Sequence, residues 1–123
     1  MGERVYSAEE ATALLSDLRE RLARIRDARE VVIRHAAAVR AAVAADGGGV
    51  AGDPASFEAS RTLREELAHL ADEDIVLRDP EAGLVDFPGE VEGRPIWLCW
   101  RLGEERVAFW HEIDAGFAGR RPL

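Results

Sequence analysis

The run WHEID near the end of the chain places His111 beside two carboxylates, Glu112 and Asp114. A histidine and two carboxylates can together bind a divalent metal ion or carry out acid–base chemistry. The spacing matches neither the H-E-x-x-H motif nor a cysteine–histidine zinc pattern. These three residues are therefore candidate metal ligands, and the competing interpretation is a solvated strand end.

Three more residues complete a candidate catalytic or ligand-binding site around His111. Asp86 lies inside the apolar run LVDF, and a half-buried carboxylate needs a partner. Glu104 is a second acid that folding could bring close, and Arg120 could bind an anionic ligand or an acid of the same protein. Structural ion pairs also occupy such positions, and for Asp86 we favour a salt bridge over a pocket acid.

The only cysteine, Cys99, lies in the run WLCW. A lone cysteine cannot form an internal disulfide. A nucleophilic or redox-sensing thiol must ionise, which requires a nearby positive charge or a helix N-terminus. The apolar neighbours of Cys99 would instead raise the pKa of its thiol. The sequence therefore favours an inert, packed cysteine, with a catalytic nucleophile or a thiol sensor as weaker alternatives.

Composition and charge limit the partners of this chain. Its 123 residues suit a single domain, 1–123, and 47% of them are hydrophobic, which is enough to fill a core. The net charge of −8 argues against nucleic acid and anionic membranes as partners. No apolar run approaches the ~20 residues that span a bilayer, and the first residues lack the apolar segment of a secretory signal. We therefore expect a cytoplasmic protein without a dedicated cofactor.

The first half of the chain predicts a helical hairpin that spans residues 7–74. Ser7 and Glu10 form a capping box, and apolar side chains then recur every three or four positions along a helix over residues 8–45. The glycines at 47–49 should end this helix. Its apolar stripe has heptad-like spacing and comprises Ala11, Leu15, Leu18, Leu22, Ile25, Val32, Ala36, Val39 and Val43.

A second helix should begin at Asp53, an N-cap residue, and Pro54, which suits the first helical position. This helix has about half the residues of the first, so much of the first helix must find cover elsewhere. The sheet or a second copy of the chain can supply that cover, and the mismatch favours a homodimer. The buried side of the second helix is predicted to contain Phe57, Leu63, Leu67 and Leu70.

From residue 75 the hydrophobic period changes to two, which predicts a small antiparallel meander and a tail over residues 75–123. The strong strands are PIWLCWR and RVAFWHE, with IVL and LVDF as shorter candidates, the latter closed by Pro88–Gly89. A two-residue turn at Gly103–Glu104 would pair Trp97 with Trp110 across the strands. The fold class is α+β: a long antiparallel helical hairpin followed by a sheet of three or so strands.

Four segments carry a further signal when they are taken together: YSAEEATALLSDLRERL, GLVDFP, LCWRLGE and FWHEIDAGFAGRRP. They resemble a family of short bacterial proteins, the domain of unknown function 2203. The likeness extends over nearly the whole chain and implies a fold and a bacterial origin. It implies no activity, and no catalytic residue is carried over from it.

The leading hypothesis is a non-enzymatic homo-oligomeric interaction or regulatory protein. In its simplest form this is a homodimer that meets through the long helix and the tryptophan-bearing face of the sheet. The alternative is a small enzyme, or a metal- or ligand-binding protein, with its site around His111, Glu104, Asp86 and Arg120. A thiol sensor that acts through Cys99 is a third hypothesis.

Overall fold

The computed structural model of the protein describes residues 4–46 and 52–123. Helices come first along the chain, and a five-stranded antiparallel sheet follows them. The α+β class is confirmed, with five strands where the sequence indicated three or so. The glycines at 47–49, expected to end the first helix, lie outside the described residues. The elements are α1 (Ala8–Ala13), α2 (Leu15–Asp46), α3 (Pro54–Asp72), β1 (Val76–Asp79), β2 (Leu84–Val91), β3 (Arg94–Arg101), β4 (Phe109–His111) and β5 (Arg121–Pro122), with a 3-10 turn at Phe117–Gly119.

The first helix begins at the predicted capping box and is interrupted once. The Ser7 hydroxyl accepts a hydrogen bond from the Glu10 amide at 3.0 Å, and the Glu10 carboxylate accepts one from the Ser7 amide at 2.8 Å. The helix breaks at Leu14, so the single helix that the sequence predicted is divided into α1 and α2. The Thr12 hydroxyl accepts a hydrogen bond of 3.0 Å from the Val107 amide, which joins α1 to the segment between β3 and β4, while α2 packs along α3.

Helix α3 begins as predicted but presents a different face. The Asp53 carboxylate accepts a hydrogen bond from the Ala55 amide at 3.1 Å, and Pro54 is the first helical residue. Two residues expected on the buried side, Phe57 and Leu67, are 69% and 45% exposed, so that part of the prediction is wrong. The inward face of the helix instead contains three apolar residues and one glutamate: Ala59, Leu63, Glu66 and Leu70.

Glu66 explains the orientation of α3. Its carboxylate accepts hydrogen bonds from Arg21 at 2.9 Å and from Arg24 at 2.8 Å, both on α2. Burial alone would raise the pKa of Glu66, but the two guanidinium groups outweigh burial and hold the pKa below its usual value. This charge-assisted contact lies on the face that α3 turns towards α2, whereas the large ring of Phe57 does not.

The sheet is an antiparallel meander in which the strands follow one another in chain order, from β1 to β5. Strand β2 does not stop at Pro88–Gly89, as the sequence predicted, but continues to Val91. Glu92 and Gly93 both have positive φ, 49° and 79°, as a two-residue type I′ hairpin turn requires. This tight turn fixes the pairing along the whole β2–β3 ribbon.

The register between β3 and β4 is shifted by one residue from the predicted register. The Trp100 indole N–H donates to the Glu104 carbonyl oxygen at 3.0 Å, within a wider loop than the two-residue turn predicted at this point. Trp97 consequently lies opposite His111 instead of Trp110. The expected Trp97–Trp110 pair is therefore wrong, because a shift of one residue moves every side chain of a strand to the opposite face.

One face of the sheet packs on the helices and forms the core, and we call it the inner face. The rings of Tyr6 and Phe87 meet there edge to face, with centroids 5.5 Å apart. The opposite, outer face carries Asp86, Cys99 and His111. The core combines Val85, Phe87, Ile96, Leu98 and Trp100 of the sheet with Ala11, Leu15, Leu18, Leu22 and Ile25 of the helices.

Candidate functional site

Three adjacent strands bring Asp86, Cys99 and His111 together, and we call these residues the outer-face cluster. Asp86 on β2 lies directly opposite Cys99 on β3. His111 on β4 pairs with Trp97, two residues before Cys99 on β3. The three residues are 2%, 0% and 3% exposed. One possible ligand atom from each lies within 4.8 Å of those of the other two. The fold therefore brings three side chains that can act as metal ligands together in a buried place.

Asp86 is the most constrained member of the outer-face cluster. Its Oδ2 accepts a hydrogen bond from Arg78 Nε at 2.9 Å and lies 3.0 Å from His111 Nε2. Its Oδ1 is buried and has no hydrogen-bond partner in the described part of the chain. Leaving a buried acceptor without a hydrogen bond costs about 1–3 kcal/mol. A further partner for this oxygen would therefore stabilise the site.

The hydrogen bonds of His111 define where its protons lie. Nδ1 is 2.8 Å from the Glu112 carbonyl oxygen, which can only accept, so Nδ1 carries a hydrogen. Nε2 faces the Asp86 carboxylate, and a contact of 3.0 Å between these two acceptors requires one proton between them. The ring and the carboxylate therefore share a proton at a buried position.

Cys99 is a protonated thiol in this setting. Burial raises the pKa of Cys99 to about 12, and the nearby Asp86 carboxylate adds to the rise. Almost no thiolate is present at neutral pH, so the side chain by itself is not an activated nucleophile. Chemistry at this sulfur requires a partner that displaces the thiol proton.

The outer-face cluster forms one wall of a cavity of about 350 Å³. Arg78 and Leu84 also line the cavity from the sheet, and the segment 113–117, which follows β4, lines it from the other side. Asp114 is the second carboxylate in this lining. Since a water molecule occupies about 30 Å³ in the liquid, the cavity can hold several waters or a small ligand.

Glu104 and Arg120, predicted as part of the same site, form a separate ion pair. The Arg120 guanidinium binds the Glu104 carboxylate and lies over the Phe109 ring, 3.8 Å from its centroid. Neither is among the described residues that line the cavity. The four-residue site expected around His111 is thus divided: Asp86 contacts His111, while the other two residues bind each other.

The three candidate metal ligands within 111–114 are also divided. His111 and Asp114 line the cavity. The Glu112 side chain instead binds Arg94, whose guanidinium holds the pKa of Glu112 below its usual value. Only the backbone carbonyl of Glu112 contacts the His111 ring. The side chain that bonds to the ring, Asp86, comes from another strand of the sheet.

Sequence reasoning missed Arg78, which binds Asp86 from β1, and the direct pairing of Asp86 with Cys99. A signal for the pairing is present. Glu92–Gly93 is a two-residue turn between two alternating runs, and counting outward from it places Asp86 opposite Cys99. No comparable signal marks Arg78, because the β1–β2 pairing is irregular at that position.

A second candidate surface is the far half of the helical hairpin. Within residues 15–45 of α2, Ala28 is the last one that is fully buried, although the apolar spacing continues to Val43. Ile33, Val43 and Phe57 are 47%, 50% and 69% exposed. We call this region, from Arg29 to the end of α2 together with the first turn of α3, the distal hairpin. Full burial of the predicted apolar stripe is confined to its nearer half among the described residues.

Of the helices within 4–46 and 52–123, none has the length and apolar character needed to cross a membrane. Comparison with curated proteins and with solved structures finds no match. The sequence matches, over residues 4–123, the family described as uncharacterised conserved protein, the domain of unknown function 2203. The match spans essentially the whole chain and confirms the resemblance noted in four of its segments. The chain therefore belongs to the domain of unknown function 2203 family.

Proposed function

We propose that the protein acts through self-association, as a non-enzymatic homo-oligomeric interaction or regulatory module whose contact surface is the distal hairpin. The simplest assembly is a homodimer. Its proposed place of action is the bacterial cytoplasm, where a lone cysteine stays reduced. The observation that supports self-association is that α2 continues beyond Ala28 without a further fully buried residue among those described.

The geometry of the hairpin shows how much of α2 extends past its companion. His35 Nδ1 lies 3.9 Å from a carboxylate oxygen of Asp53, the N-cap residue of α3, so α3 begins alongside His35. From there α2 continues to Asp46, a distance of about 17 Å at ~1.5 Å per residue. Val39 and Val43 continue the apolar stripe along this extension. A second helical hairpin placed antiparallel to the first would cover them.

The charge of the distal hairpin is compatible with a second copy of the chain as its partner. The net charge of −8 opposes close approach of two whole chains. Residues 29–46, however, contain three arginines and two acids, so this segment does not share the acidic excess. Glu30 and Arg34 flank the exposed Ile33, so two antiparallel copies can place opposite charges around an apolar contact.

The mass of the assembly in solution, measured by size-exclusion chromatography with light scattering, tests this proposal. We expect the mass of two chains for the wild type. The double variant Ile33→Glu/Val43→Glu should have the mass of one chain, because association would bury four uncompensated carboxylates. The matched control is Leu123→Glu, a change at an equally exposed apolar residue that follows β5, and it should leave the mass unchanged.

Two outcomes would contradict self-association through the distal hairpin. One is a single-chain mass for the wild type at high protein concentration. The other is a dimer that persists in the double variant, which would place the contact elsewhere on the molecule.

A second candidate function is ligand binding or catalysis at the cavity beside the outer-face cluster, and the buried contact between Asp86 and His111 favours it. Buried charged groups contribute little net stability and are frequent at functional sites. Glu104 and Arg120 bind each other, so this candidate relies on the outer-face cluster and Arg78. A ligand of the cavity should raise the unfolding temperature of the wild type but not of Asp86→Asn. An equal rise in both proteins would count against this candidate.

A further inference from the structure

We propose that the outer-face cluster, Asp86, Cys99 and His111, binds a divalent transition-metal ion of the zinc(II) class. This inference is independent of self-association and names the ligand for the second candidate function. Thiolate sulfur, imidazole nitrogen and carboxylate oxygen are the three kinds of protein atom that zinc accepts. Three such ligands with a fourth position left open are the arrangement found in catalytic zinc sites.

The spacing of the ligand atoms suits a single ion. Zinc–ligand distances of about 2.0–2.3 Å in a tetrahedral site place neighbouring ligand atoms about 3.3–3.8 Å apart. The three atoms of the outer-face cluster lie within 4.8 Å of one another. Side-chain movements of roughly 1 Å therefore close the set around an ion, while the paired strands keep their positions.

The His111 ring already has the orientation of a metal ligand. Its Nδ1–H donates to the Glu112 carbonyl oxygen at 2.8 Å, and a bond of this kind fixes the tautomer and the ring plane of metal-bound histidines. The other ring nitrogen, Nε2, is left as the coordinating atom and faces Asp86 at 3.0 Å. A metal ion bound at Nε2 would displace the proton that the ring shares with Oδ2 of the carboxylate.

One carboxylate oxygen of Asp86, Oδ1, is buried without a hydrogen-bond donor among the described residues. Arg78 and His111 both approach Oδ2, whereas Oδ1 is buried without a partner in the ranges that the structure describes. A metal ion bound at Oδ1 satisfies that atom, and Arg78 then orients the carboxylate from outside, as outer-sphere partners of metal ligands do. A water molecule could also satisfy Oδ1, but the adjacent thiol is a poor partner for water and a good one for a soft metal.

The charge and proton balance fits a doubly charged ion. Binding displaces two protons to solvent, the thiol proton of Cys99 and the proton shared by His111 and Asp86. The ion adds two positive charges, so the net charge of the buried site does not change. The site therefore avoids the cost of an uncompensated buried charge. The cavity gives the ion access and leaves room for a fourth ligand, from water or from Asp114.

Cobalt(II), which occupies zinc sites and absorbs light, is the probe for this proposal. Cobalt(II) is titrated into the reduced full-length chain without an affinity tag, and bound metal is measured by equilibrium dialysis. We expect one cobalt ion per chain and a thiolate-to-cobalt charge-transfer band in the near ultraviolet, which added zinc(II) removes. Cys99 is the only cysteine of the chain, so this band can arise from no other residue and the wild type alone decides.

Three variants sharpen the test, with circular dichroism to show that each is folded. Cys99→Ser, which nearly preserves the size of the side chain, should lose the charge-transfer band. Arg78→Gln lies outside the ligand set and should weaken cobalt binding by about 10–100-fold. His35→Gln removes a histidine of α2 whose neighbour is Asp53 at the start of α3, and it should change neither quantity.

Two results would overturn the metal proposal. One is a folded wild type that binds no cobalt. The other is cobalt bound without the charge-transfer band, which would place the ion at surface acids or histidines. Either result leaves the mass measurement of self-association unaffected, so the two proposals fail separately.

Discussion

The carboxylate of Asp86 lies 3.0 Å from Nε2 of His111 on the outer face of the sheet, and both residues are almost completely buried. They come from β2 and β4, with Cys99 on the strand between them. The contact between Asp86 and His111 can form only when β2, β3 and β4 are paired in this register. Removing either partner leaves the other buried without its main contact, which makes the pair directly testable.

Replacing His111 with alanine should destabilise the protein by about 3–5 kcal/mol, because the buried Asp86 carboxylate then depends on the half-exposed Arg78 for its charge compensation. The free energy of unfolding in urea, measured at neutral pH with a chelator present, gives this value. His69→Ala on α3 is the control, and it should cost less than about 1 kcal/mol, since His69 is only half-buried. Similar losses in both variants would contradict a special contribution from the Asp86–His111 contact.

The Cys99 thiol should react very slowly in the native protein. Burial raises its pKa to about 12, so the thiolate that attacks a disulfide reagent is scarce at mildly alkaline pH and is also shielded from solvent. In the unfolded chain the pKa returns to about 8.5 and the full equivalent should react. Ellman's reagent, applied with and without denaturant to metal-free protein, measures both rates. Native reactivity equal to that of free cysteine would show that the thiol is accessible and ionised.

Glu66 should give the hairpin a stability that depends on pH. Burial opposes ionisation, but Arg24 and Arg21 hold the pKa of Glu66 below its ordinary value. For a depressed pKa the stabilisation is present above the unfolded value, about 4.3, and is lost as the pH falls through the lower folded value. Wild type should therefore exceed Glu66→Gln in free energy of unfolding near about pH 6, and the difference should shrink towards about pH 3.

The exposed neighbour of Glu66 provides the control for that titration. Glu65→Gln removes a carboxylate from the same turn of α3 on a solvent-facing position, and its effect should be within about 0.5 kcal/mol at either pH. A difference between wild type and Glu66→Gln that stays constant down to about pH 3 would contradict the ionic origin of the contact.

Gly89→Ala should destabilise the core by about 1–3 kcal/mol through overpacking. A Cβ at this buried position would lie 2.9 Å from Leu98 Cγ and 3.1 Å from Ile96 Cδ1, closer than carbon atoms approach without strain. Gly116→Ala is the matched control, because a Cβ there meets nothing within 4 Å and the residue lies in extended backbone. Thermal unfolding of both variants checks the prediction, which equal midpoints would contradict.

The sequence predicts the fold well where local rules act alone. The Ser7–Glu10 capping box and the inward alternation of β3 are both present. The rotation of α3 is not local, because Glu66 meets Arg21 only once the hairpin has formed. An analysis of apolar spacing favours the largest side chain, Phe57, and has no means of weighing a charged contact with another helix.

The candidate site depends even more strongly on relations between strands. In the predicted register His111 would share the inner face with Leu98, whereas the one-residue shift places it on the outer face with Cys99. Residue types showed that Asp86 and Arg120 needed partners. They could not show that Arg120 would form an ion pair with Glu104, because the loop between β3 and β4 determines where Glu104 lies.

The hydrogen bond from the Val107 amide to the Thr12 hydroxyl joins positions 95 residues apart. During synthesis the helices leave the ribosome first, and the strands that cover their apolar side follow later. At synthesis rates of about 5–20 residues per second, Leu15 and Leu18 of the nascent hairpin remain exposed to solvent for several seconds. The translation speed of the sheet-encoding half of the chain therefore sets how long the apolar side of the helices stays exposed.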